Sequence, residues 1–133
     1  MNDRMQELKL SDLKEKLENR KSGERLVFRE VQLEKGDLSG TDLSNTDFTL
    51  SSFDGVTLNN VNFHDSSVEN ALFDGCSMHG ANFENANMKT ASFRFCDMSG
   101  CNIKGANLYG AVLENADLTN IQSDEATQWF RLY

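Results

Sequence analysis

The residues with the widest chemical reach in this chain are three cysteines, Cys76, Cys96 and Cys101, and two histidines, His64 and His79. Thiolate and imidazole ligate metals, and a histidine beside a carboxylate, as in "NFHDSS" (residues 62–67), is one ingredient of base catalysis. Their spacing speaks against each use. There is no CxxC pair, three cysteines is an odd count that gives no disulfide framework, and neighbouring residues such as His64 and Asp65 do not converge on a substrate. No metal site, cofactor site or catalytic group is expected.

What positions these residues is a period of five. Every fifth residue from Phe28 to Leu118 is large and apolar, nineteen in all, with no slip in phase. On an α-helix a step of five scatters side chains around the cylinder, and on a flat strand it alternates faces. A chain that turns a corner every five residues escapes both objections, because each large residue then points at a common axis. Two places before the large residues, from Gly36 to Ala116, stand only Gly, Thr, Ser, Val, Ala and Cys. Two places after them, from Gly40 to Asn120, thirteen of seventeen residues are Gly or Asn, the residues that tolerate φ > 0 at a turn.

The stretches "GTDLSNTDF" (40–48) and "GANLYGAVLENADL" (105–118) show a motif that resembles the pentapeptide-repeat family, whose unit reads approximately A(D/N)LXX. The resemblance covers residues 26–122 and implies an all-β solenoid, a right-handed quadrilateral parallel β-helix with four five-residue walls per coil. With twenty residues per turn this chain makes about five coils, stacked at about the 4.8 Å spacing of paired strands. Leu33, Phe53, Phe73, Phe93 and Leu113 then stack on one wall, and Leu43, Phe63, Phe83 and Ile103 on the opposite one. Cys76, Cys96 and Cys101 all fall in the small-residue row, as buried fillers. Cys76 and Cys96, twenty apart, lie one above the other, close enough in principle for a bridge.

A solenoid needs caps at its open edges. Residues 1–25 predict an N-terminal capping helix with Ser11 as N-cap and Gly23 as the C′ residue. Its apolar stripe is Leu10, Leu13 and Leu17, with Met5 and Leu8 available to extend it by a turn. The other reading of this helix is a free coiled-coil arm, which two heptads stabilise poorly. At Ser123 the period fails. Residues 123–133 form a short C-terminal cap or dimerisation segment, with Ser123 as a candidate N-cap and Trp129, Phe130, Leu132 and Tyr133 as contacts. Three roles are open to these aromatics: sealing the last coil, pairing two molecules end to end, or opening a longer segment.

The 21 acidic and 13 basic residues leave a net charge of −8, and residues 26–122 carry five basic and thirteen acidic groups, the whole of that imbalance. Such a surface repels nucleic acid and suits basic proteins, although most acidic balances only keep a protein soluble. No apolar run reaches the roughly 20 residues of a membrane helix, and the start is too polar for a secretory signal, so a cytoplasmic protein without membrane contact is expected.

A filled prism with flat walls offers no cleft, which argues against an enzyme. Binding requires departures from the outer pattern. Leu50 and Phe95 occupy corners where Gly or Asn is the rule, and Leu72, Tyr109 and Val112 occupy other outward slots. Leu72, Phe95 and Val112 share a wall, with Arg94 beside them and Tyr109 on the adjoining wall, a candidate patch for a protein partner. The expected function is a non-catalytic interaction or structural module, monomeric or an end-to-end homodimer. The alternative comes from the resemblance: some members associated with quinolone resistance are acidic dimeric rods that mimic duplex DNA on gyrase. Asp37, Asp42, Asp47, Asp54, Asp65, Glu69 and Asp74 are the acidic groups shared with that picture.

Overall fold

The computed structural model describes residues 5–129. Three two-stranded parallel pairs start the molecule: β1 (Gln6–Leu8) with β3 (Val31–Leu33), β2 (Leu26–Val27) with β5 (Thr46–Asp47), and β4 (Gly36–Asp37) with β6 (Val56–Thr57). Beyond them the chain continues as single parallel bridges, each up to Gln122 joining a residue to the one twenty further on. Gln32, Ser52, Leu72, Ser92 and Val112 form one such ladder, and Asp42, Asn62, Asn82, Asn102 and Gln122 another. The step of twenty is what four five-residue walls require.

The large apolar residues fill the middle. Phe53, Phe73 and Phe93 stack with centroids 4.4 and 4.9 Å apart, and Phe63 stacks on Phe83 at 4.9 Å. The two columns meet edge to face, with centroids 5.9 to 6.4 Å apart. Offset stacking within a column and perpendicular contact between columns are both favoured by the ring quadrupole, so ring geometry and coil spacing agree. The small-residue row is buried with them: Ala71, Ala81, Ala91, Cys101 and Ala106 have no accessible surface. Where that row carries a polar atom, a nearby carbonyl accepts its proton. Thr46 Oγ1 donates to Leu43 O and Ser66 Oγ to Phe63 O, both at 2.6 Å. No buried side-chain nitrogen or oxygen among the described residues lacks a partner.

Every residue two places after a large one, from Gly40 to Asn120, has positive φ. Asn and Gly adopt that conformation cheaply. Leu50 (φ 63°), Thr90 (φ 56°) and Phe95 (φ 59°) do not, because their Cβ crowds the backbone there.

The amino-terminal segment departs from expectation in three ways. Residues Gln6–Leu8 form β1 instead of extending a helix, because the exposed edge of the first coil needs partners: Gln6 N–H donates to Glu30 O and Glu34 N–H to Leu8 O. The helix α1 spans Leu10–Glu18 with Lys9, not Ser11, at the N-cap position, since the Glu34 carboxylate accepts the Leu10 N–H at 3.1 Å and replaces a local cap. It ends at Asn19, not Gly23, because Arg20 is drawn onto the wall beside it, its guanidinium donating to Ser44 O at 2.6 Å. Leu13 is fully buried in the core, with Leu10 and Leu17 packed against it.

At the other end no helix starts at Ser123. The ladder runs on to Gln128, which bridges Asn107 at a step of twenty-one instead of twenty. Asp124 absorbs the extra residue, its Oδ1 accepting the N–H groups of Gly105, Ala126 and Thr127. Thr127 thereby takes the small-residue slot and donates to Ile103 O at 2.9 Å. Trp129 packs partly buried against the core, while Phe130, Leu132 and Tyr133 lie outside the described residues.

Candidate functional site

The cysteines sit where a reactive thiol does not. All three are unbridged and buried, and each thiol donates to a core carbonyl: Cys76 to Phe53 O, Cys96 to Phe73 O and Cys101 to Met78 O. Burial pushes Cys76 up to about 11 and Cys96 and Cys101 up to about 12, so thiolate is scarce at neutral pH. His64 comes closer to a constellation than the sequence suggested. Its Nδ1 lies 2.9 Å from Asp65 Oδ2 and its Nε2 3.7 Å from Glu84 Oε1, the latter exactly one coil on. The three are part-exposed on a convex surface, and no group of three or more His, Cys, Asp or Glu among the described residues is arranged to hold a metal ion.

Five of the thirteen carboxylates in residues 26–122, Asp37, Asp42, Asp47, Asp97 and Asp117, prove to be turn elements. Where the slot before a large residue holds Asp or Asn, its side chain accepts the N–H two residues on, as Asp37 does from Ser39, Asp42 from Ser44 and Asp97 from Ser99. Asn62, Asn82, Asn87, Asn102 and Asn107 do the same without charge. These hydrogen bonds leave a mark on acidity. The Ser39 hydroxyl and amide hold Asp37 below the usual carboxylate range, and the Ser44 hydroxyl, the Ser44 amide and Arg20 hold Asp42 below it. Burial pushes Asp47 up, but Thr49 and the Arg29 guanidinium, 2.7 Å away, outweigh it.

Among the described residues five large apolar side chains stand exposed: Val27, Leu50, Leu72, Phe95 and Tyr109. Leu72 and Val112 belong to one ladder with Ser92 between them, and Val112 is half-buried. Phe95 ends the same wall, its N–H donating to Glu114 O at 3.0 Å, and its side chain is 64% exposed. Arg94 lies beside it, with Nε 3.7 Å from Glu114 Oε1 and its own N–H donating to Asp74. Tyr109 lies on the adjoining wall, where its N–H donates to Asn107. Register thus brings Leu72, Arg94, Phe95 and Val112 onto one wall. Val27, 60% exposed, is an addition: it occupies the slot of the turn-forming Asp and Asn residues in the first coil, the same rule that Leu72 breaks.

A repeat of five with Ala-Asn/Asp-Leu spacing is now joined to a twenty-residue register, and a family model described as pentapeptide repeat region matches residues 26–103. The chain belongs to the pentapeptide-repeat family. A second model, pentapeptide repeats (8 copies), matches residues 96–120. Among solved structures, a pentapeptide-repeat protein from the Arabidopsis thaliana thylakoid lumen is 27% identical with a TM-score of 0.62, covering 68% of this chain. The match takes in 60% of that protein's own length. The pentapeptide-repeat protein Rfr23 from the cyanobacterium Cyanothece 51142 is 28% identical with a TM-score of 0.38, over 77% of this chain and 63% of its own. QnrB1, a plasmid-mediated fluoroquinolone resistance protein, is 15% identical with a TM-score of 0.34, over 74% of this chain and 83% of its own. A comparison with curated protein sequences returns no match. Membership implies a right-handed β-helix, and pentapeptide-repeat proteins are in general structural or interaction modules.

Proposed function

We propose that this pentapeptide-repeat chain is a non-catalytic protein-binding module: an acidic β-helix of about five coils, capped by α1, whose rigid core leaves the outward slots free to carry recognition. One observation carries the reading. Phe95 stands at a corner with φ 59° and two thirds of its surface in water, so neither the backbone nor the core gains from it. A side chain that costs the fold and stays mostly in water is best explained by a contact outside it. The partner is a protein, and direct contact with nucleic acid or membrane is not part of the proposal.

Recovery of partners from the native host tests this, with the wild-type chain and a Leu72→Ser/Phe95→Asn variant as baits. The expected result is a protein held by the first and lost by the second. An identical set on both baits overturns the assignment of these residues.

The net charge favours a second reading, in which the rod mimics duplex DNA on a DNA-binding protein such as gyrase. Two features weigh against it. Asp37, Asp42 and Asp47 occupy turn slots on three different walls, where Asn serves equally well. Arg20, Arg29 and Lys89 pair with Asp42, Asp47 and Glu69, so the negative charge forms no continuous stripe. Supercoiling by gyrase is expected to be unchanged by added protein, and dose-dependent inhibition would restore the mimic. In solution the proposal is a monomer or an end-to-end homodimer, separable by sedimentation, in the cytoplasm.

A further inference from the structure

The wall that carries Phe95 is too small for a standard protein–protein interface and matches a short peptide in size. Four inter-coil steps of ~4.8 Å by a five-residue side give roughly 300 Å² of projected area, against about 800 Å² per partner in a stable complex. That size disfavours both a second copy and a large folded partner. Below Phe95 the corner of the wall carries no side chain. Gly75 lies directly below Phe95 in the corner column and three residues from Leu72, and a Cβ added at Gly75 meets nothing within 4 Å. Leu72 at 46% and Phe95 at 64% exposure thus stand on either side of the Asp74 column, with a bare backbone corner at Gly75. That column is acidic. Asp54 and Asp74 are exposed one coil apart, and the cation of this column, Arg94, lies toward Glu114 on the far side.

We infer that this wall binds a short peptide segment in which an aliphatic or aromatic residue adjoins a lysine or arginine. The apolar side chain lies against Phe95 over the bare corner at Gly75, and the basic residue meets Asp54 and Asp74. The apolar contact supplies affinity and the charges set orientation and partner choice. This rests on the binding-module reading above and narrows it to one partner chemistry.

The probe is a displayed library of random short peptides selected on the immobilised chain, followed by fluorescence titration of the enriched sequences. Enriched peptides are expected to pair a large apolar residue with Lys or Arg and to weaken as salt rises. Phe95→Asn is expected to reduce their affinity at least about tenfold, the effect of losing an interface anchor. Gly75→Asn places a side chain on the bare corner without straining it, since Asn adopts this conformation at six other corners. It is expected to reduce affinity comparably, while Leu50→Ser, on a different corner column, leaves it unchanged. Peptides that are acidic, that bind Phe95→Asn and Gly75→Asn as tightly as wild type, or that fail to enrich at all overturn the inference. Should the lysate partner of the preceding section still depend on Phe95 in that case, the binding module stands and only its peptide ligand falls.

Discussion

The two ends of the rod are closed by different means. At the amino end β1 supplies backbone partners to the edge of β3, and α1 lays the fully buried Leu13 over the bore. The linker after α1 is pinned as well, Arg20 donating to Ser44 O and Arg25 to Asp65 O. At the carboxyl end a single ladder is extended, by Gln128, and Leu113, Leu118 and Ile121 stay only partly buried. The amides of Leu118 and Asn120 find no acceptor among the described residues, whereas the equivalent Met98 and Gly100 donate to Asp117 O and Thr119 O one coil on. Closing a solenoid thus takes two separate things, a strand for the edge and an apolar lid for the bore. A repeat supplies neither, because each unit is built to be covered by another like it.

This contrast can be broken most directly at Leu13. Leu13→Ala is expected to cost about 2–5 kcal/mol in chemical denaturation, the range for a large residue truncated in a closed core. Leu118→Ala, at the partly exposed end, is expected to cost clearly less, and equal losses would abolish the distinction. Amide exchange gives an independent check, with Met98 and Gly100 protected and Leu118 and Asn120 fast. Ala91→Leu probes the middle of the rod, between the ends. Its overpacking of a position with no accessible surface is expected to cost about 1–3 kcal/mol, and a denaturation midpoint equal to wild type would contradict the inward placement of the small row.

A smaller effect has the opposite sign. Phe95→Asn relieves a left-handed bulky residue and is expected to stabilise the fold by about 1 kcal/mol while weakening partner binding. A destabilised Phe95→Asn chain would mean that the ring supports the core after all. The smallest effect is in acid. Asp37 and Asp42 near the amino end and Asp117 and Asp124 near the carboxyl end all titrate below their ordinary range, Asp117 through the Thr119 hydroxyl and Asp124 through the Gly105 amide. A depressed folded value means stability that is present above the unfolded carboxylate range near pH 4 and lost as pH falls through the folded values. Thermal midpoints should therefore hold from neutrality to about pH 5 and drop below it, and Asp117→Asn should flatten that drop slightly.

The bore was legible in the sequence because a single rule, a large residue every fifth place, repeats without interruption. The helix at the amino end and its Leu10, Leu13 and Leu17 stripe were legible too. By contrast β1, the helix caps and the register after Ser123 were not, since each obeys a tertiary constraint with no local signature. "QEL" carries no strand pattern, and it becomes β1 only because the edge of β3, 25 residues away, needs hydrogen bonds. Ser11 is the better cap by propensity, yet the Glu34 carboxylate reaches the first turn of α1 and Ser11 is not used. The inserted residue after Gln122 was visible as a lost phase, but its remedy depends on Asp124 meeting Gly105 on the previous coil. Leu72 and Phe95 could be picked out as exceptions to a rule of slots, whereas the bare corner at Gly75 could not, because glycine is ordinary at a corner.

The one-residue excess between Asn107 and Gln128 has a consequence for chain growth. Up to Gln122 the register counts in units of twenty, so inserting or deleting twenty residues within the regular part lengthens or shortens the rod by about 4.8 Å and keeps each side chain on its wall. After Asp124 the count is displaced by one, like a ruler spliced one graduation out of true. A repeat grafted onto Gln128 has to be written in the displaced frame, or its leucines will face water.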